Sequence, residues 1–196
     1  MKKFLFLLVA MCSFSIAAQS TYLHCGKLID TKTGQVLSNK TIIVSGKKIT
    51  AIEDGFVSPK NTEDSVINLK DKTVMPGLID MHVHIGGEAQ GASPEYVFKL
   101  WMAHGVTTVR QVSGRNAIEL KRQSAAHEII APRIFEYTGF GSGSSKPIST
   151  PEMAREWVRQ NAKNGADGIK FFGAEPDIMT AALDENKKLE KFKKSL

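Results

Sequence analysis

Two histidines and an aspartate stand two residues apart in the stretch Met75-Pro76-Gly77-Leu78-Ile79-Asp80-Met81-His82-Val83-His84-Ile85. Side chains of an extended strand alternate faces with a period of two. The spacing therefore predicts Ile79, Met81, Val83 and Ile85 on one face and Asp80, His82 and His84 on the other. Two imidazoles on one strand face can grip one divalent ion, and imidazole suits zinc, iron or nickel. The plainer alternative is a half-buried strand with a solvent-facing polar side. Lys170 is the second candidate, because it lies in an apolar run between Ile169 and Phe171-Phe172. A buried ammonium is costly to desolvate, so its pKa falls and the neutral amine becomes available for chemistry. The alternative is a lysine whose stem lies along the strand and whose head reaches water. The residues alone leave both pairs of readings open.

The elements that must hold these groups come in two kinds. Residues 21–74 are β-rich without helical periodicity, with strands expected at 21–29, 41–44, 48–52, 66–69 and 73–75. Turn-like clusters separate them at Asp30-Thr31-Lys32-Thr33-Gly34 and Ser45-Gly46-Lys47, the latter a hairpin signal. Beyond His84 strands alternate with helices, which argues for a parallel sheet or barrel. A helix is expected from Pro94, capped by Ser93 and ended by Gly105, with Val97, Leu100, Trp101 and His104 on one face. Strands are expected at 106–112, 133–137 and 166–172. Helices are expected at 116–129, with Asn116 and Glu119 as a capping pair, and at 151–164, capped by Ser149 or Thr150 and closed by Gly165. His104 at a helix end, His127 on a polar helix side and His24 in the β-rich segment read as bland. The loop 139–145 follows the third strand, where barrel active sites lie, and could equally be a linker. Glu88 follows the histidine strand, and the sequence assigns it no role.

The run Val74 to His84 resembles the first barrel strand of the metal-dependent amidohydrolases. His104-Gly105-Val106-Thr107-Thr108-Val109-Arg110 and Gly165-Ala166-Asp167-Gly168-Ile169-Lys170 are similar to strands two and four of the subgroup holding imidazolonepropionase-like enzymes and aminoacyl-proline dipeptidases. The departures are Gln111, where that subgroup often has an acid, and Ser113, where glycine is common. The resemblance implies an α/β fold: the first half of a (β/α)8 barrel preceded by a small β-sandwich segment. It implies one or two divalent metal ions, zinc foremost, held by His82, His84 and Lys170. The lysine would be carboxylated to a bridging carbamate. Asp80 would be structural or sit behind the ligands. The implied chemistry is hydrolysis of carbon–nitrogen bonds in a small-molecule substrate, a cyclic amide or a dipeptide, with export favouring the dipeptide. A homo-oligomer is compatible with the complete enzyme.

A barrel of this kind needs about 250 residues, and the stretch after Pro76 offers roughly half. In the family, two further histidines on strands five and six and an acid/base Asp on strand eight complete the site. No histidine follows His127, and the last acidic residue, Glu190, lies in a Lys-rich stretch, so neither the later ligands nor the catalytic acid/base is assigned to a residue here. The expectation is a fragment, inactive alone. The alternatives are a non-catalytic remnant or interaction module, and a metal-dependent phosphoesterase-like hydrolase.

The N-terminus reads as a secretory leader over residues 1–18: Lys2-Lys3, an apolar run at 4–10, and small residues at Ser15, Ala17 and Ala18. The run is too short to span a membrane. An exported product, periplasmic or secreted and off the membrane after cleavage, is expected, with Cys25 its single cysteine and no internal disulfide. The domains then read as 19–74 sandwich, 75–186 partial barrel and 187–196 Lys-rich tail. The formal charge of +6 comes from Lys2-Lys3 and from the tail, where five lysines stand against Glu190. The body is formally neutral, which argues against a nucleic-acid face.

Overall fold

The computed structural model describes residues 19–86, 91–112 and 117–189. The leader expected at 1–18, Glu88, Ser113, Asn116 and the tail from residue 190 lie outside the described residues. The chain forms two compact units that divide after Pro76.

The first unit is one four-stranded sheet of β1 (Ser20–Asp30), β2 (Gln35–Ser45), β3 (Lys48–Asp54) and β4 (Ser65–Val74), in the order β3-β2-β1-β4. Both turn clusters act as read. Gly34 takes a positive φ and its N–H donates to the Asp30 carbonyl at 2.8 Å, and Gly46 turns β2 into β3. The two strands expected at 66–69 and 73–75 are one continuous strand, β4, paired parallel to β1. The pairing slips between Cys25 and Lys27, beside Gly26, where a Cβ would collide with the Lys70 carbonyl. That slip changes the phase of the alternation. Cys25 and Leu28, three residues apart, therefore share one core with Ile42, flanked by Leu23, Leu37, Val44 and Val74.

The second unit is four complete β/α steps. They are β5 (Leu78–Val83), α1 (Pro94–Ala103), β6 (Val106–Val112), α2 (Ala117–Ala125), β7 (Arg133–Phe140), α3 (Pro151–Asn164), β8 (Gly168–Phe171) and α4 (Pro176–Lys188). The strands lie parallel in the order β5-β6-β7-β8, which is the curled half-barrel sheet that the motifs imply. The caps of α1 and α3 are as read: Ser93 accepts from the Tyr96 N–H at 3.3 Å, and Thr150 from the Met153 N–H at 3.2 Å. Gly165 closes α3 in the left-handed region. The helix read over 116–129 ends earlier, at Ala125, and His127 follows with a positive φ.

Two expectations need correction. The buried face of α1 centres on Phe98, 1 % exposed, with Trp101 beside it; Leu100 and His104 are exposed. A helix that the sequence reading lacks also follows β8: α4 runs through Lys188, two residues into the Lys-rich stretch, and packs Ile178, Ala181 and Ala182 against Ala154, Val158 and Phe140. A second core gathers Val83, Ile85, Phe98, Val109 and Ile134. Val109 and Ile134 are level in the sheet, as are Phe140 and Phe171, and Ile134 and Phe140 are an even number of residues apart on β7. Both cores therefore lie on the helix-covered face of the one sheet. No described helix is long and apolar enough to cross a membrane.

Candidate functional site

Strand β5 does not keep a simple alternation. Asp80 is level with Val109 of β6, but Val83 is level with Gln111, so three steps on β5 match two on β6. This slip separates Asp80 from the face predicted for it. Its carboxylate instead accepts from the main-chain N–H of His82, at 3.1 Å. The expected apolar face is also only half realised: Val83 and Ile85 are buried, whereas Ile79 is 61 % and Met81 48 % exposed.

His82 and His84 alternate with the core residues Val83 and Ile85, so both imidazoles project from the face without helices. Their ring centroids are 5.5 Å apart, at an interplanar angle of 63°, and both side chains are exposed. With Zn–N bonds of about 2.1 Å, two imidazoles on one tetrahedral ion have centroids roughly 5–6 Å apart. The separation of the pair falls within that range.

Lys170 lies on β8, level with Gly139 of β7. Its neighbours Ile169 and Phe171 pack into the helix-side core. Lys170 thus projects from the histidine face. It is half-buried, and its ammonium lies 5.7 Å from the centre of the Phe172 ring. Arg110 and Tyr137 occupy the same face between the edges, with the guanidinium 4.9 Å from the ring centre. The histidines and Lys170 are on opposite edge strands, about 14 Å apart if the sheet were flat. Among the described residues, no three of His, Cys, Asp and Glu gather as a metal site. The chain brings two imidazoles together and places the lysine on their face, across the sheet.

Two residues that the motif reading did not assign hold the histidine segment. Gln111 is 1 % exposed, and its Oε1 accepts from the main-chain N–H of Ile85 at 2.7 Å. Arg110 Nε donates to the Met81 carbonyl, also at 2.7 Å. Their signal in the sequence is an amide and a guanidinium set side by side in a β-branched strand.

The remaining candidates are elsewhere. His104 caps α1, with Nδ1 2.8 Å from the Leu100 carbonyl, and His24 Nε2 lies 2.9 Å from the Val57 carbonyl in the first unit. The loop after β7 does line a cavity of about 730 Å³, with Thr138, Lys146, Trp157 and Asn161. Thr138 is level with the core residue Ile169, so this cavity borders the helix-covered face.

No protein-family model matches the chain. An adenine deaminase of Staphylothermus marinus is 40 % identical over 87 residues, 42 % of this chain and 14 % of the relative. An adenine deaminase of Jannaschia sp. is 31 % identical over 174 residues, 86 % of this chain and 26 % of the relative. A solved Xaa-Pro dipeptidase, with methionine bound in its active site, is 31 % identical with a TM-score of 0.66. That match covers 87 % of this chain and 55 % of the dipeptidase. The chain thus spans about half of that enzyme and a smaller part of the deaminases.

Proposed function

We propose, on the premise that this chain is a partial-length relative of the amidohydrolase superfamily, that it carries the metal-binding front half of a hydrolase acting on carbon–nitrogen bonds of small molecules. The observation that carries the reading is the imidazole pair on one strand, at a separation that suits one ion. His82 and His84 would hold a divalent ion, zinc foremost, and Lys170, as a carbamate, would hold a second or bridge the two. A bound ion supplies an acidified water and a polarised carbonyl. The chain's own residues bind and orient. The imidazoles project from the face without helices, and Arg110 and Tyr137 offer a donor and an aromatic wall beside them. Asp80 acts on the backbone of His82 and not as a ligand.

A dipeptide is the substrate proposed first, supported by the dipeptidase likeness and the leader-like N-terminus; an aminopurine is second, supported by the deaminases. The acid/base group of the superfamily stands on a later strand, so the 196-residue chain alone should bind metal without turnover.

Metal analysis of the purified chain tests this. The expected result is divalent ion bound in the unmodified protein and lost in a His82→Ala/His84→Ala double variant, with Lys170→Ala lowering the count by about one ion per chain. A folded chain that binds no zinc overturns the metal reading. Chelator-sensitive hydrolysis of dipeptides by this chain alone overturns the claim that it is catalytically incomplete.

A further inference from the structure

We propose that Gln111 is a positioning residue that sets the direction of His84, and so the affinity of the imidazole pair for its ion. The proposal rests on the metal reading above. β5 is an edge strand, with β6 its one neighbour among the described residues. Its ladder to β6 slips between Asp80 and Val83 and ends at Val83. The segment carrying the histidines therefore has main-chain groups that no regular pairing serves. Three side chains serve them instead. Asp80 accepts from His82 N–H, Arg110 donates to the Met81 carbonyl, and Gln111 accepts from Ile85 N–H.

Gln111 has the larger share of this. Its backbone is level with Val83 and its side chain holds Ile85, so it grips both neighbours of His84. It is also sealed from solvent, so water cannot take over when the amide is removed. Arg110 faces the other side of the sheet and fixes the residue before His82. The two adjacent residues clamp the segment at both ends. A side chain that fixes the orientation of a ligand typically changes metal affinity when it is lost.

The variants are Gln111→Leu, which keeps the volume and loses the acceptor, and Gln111→Glu, which keeps an acceptor oxygen. Zinc affinity is measured by competition with a chromophoric chelator. Gln111→Leu should weaken binding about 10- to 100-fold, and Gln111→Glu should restore it to near the unmodified value. A role confined to stability would lower the melting temperature of Gln111→Leu and leave the affinity of the folded protein unchanged; that result overturns the proposal. If the unmodified chain binds no zinc, the metal reading fails separately. The clamp is then judged by amide exchange at Ile85: slow in the unmodified protein and in Gln111→Glu, fast in Gln111→Leu. Fast exchange at Ile85 in the unmodified protein overturns the clamp itself.

Discussion

Phe98 does for the apolar side of the histidine strand what Gln111 does for its main chain. It is 1 % exposed, 6.1 Å from Trp101 between ring centres, and packed among Val83, Ile85, Val109 and Ile134. Phe98→Ala should cost about 3–5 kcal/mol of stability, read from the shift in denaturant midpoint, because the helix and sheet cannot close a cavity of that size. A loss below about 1 kcal/mol would show that the site collapses freely. The placement of the candidate residues was legible at this scale; their chemistry is the proposal made above. His82, His84 and Lys170 stand out by type and spacing, and they share one face of the sheet. Asp80 was misplaced by the same rule, because a slip in pairing depends on β6 as much as on β5. Gln111 showed only as an unusual residue, since its role depends on Ile85, 26 positions away.

Among elements, those with local punctuation were legible. Ser93-Pro94 and Thr150-Pro151 open α1 and α3, and Gly165 closes α3. Helix α4 was missed for a physical reason. Glu175 makes no side-chain cap, and the buried stripe of Ile178, Ala181, Ala182 and Glu185 is mostly small, with one charge. What fixes α4 is its contact with α3, including Glu185 to Arg159 at 3.0 Å and Arg155 to the Ala181 carbonyl at 3.3 Å. Burial of Glu185 works to raise its pKa, but hydrogen bonding and charge from Arg159, then Lys188, bring it below the ordinary glutamate value. A carboxyl depressed on folding adds stability above its unfolded pKa and loses it as pH falls through the folded value. The stability of the unmodified protein relative to Glu185→Gln should therefore decline below about pH 4. Thermal unfolding at stepped pH checks this, and parallel curves for the two proteins would show that the pair adds no pH dependence.

At the scale of the whole molecule, the second unit has a sheet with two edge strands, β5 and β8, each with one neighbour among the described residues. On β5 the residues Leu78, Ile79 and Met81 are exposed and apolar. An unpaired, apolar edge invites strand addition. Sedimentation velocity should show association that grows with concentration, and Ile79→Lys should reduce it. A monomer at all concentrations would mean that the edge is otherwise protected. The first unit has the opposite character at one seam. Its first and last strands, β1 and β4, lie side by side and run the same way. The chain therefore enters that seam at one end and leaves it at the other. A pull applied between Ser20 and Val74 loads the whole β1–β4 ladder in shear, so the bonds must fail together and do not unzip singly. The unit is built to resist tension along the chain, as when an unfolding machine draws the polypeptide in from its N-terminus.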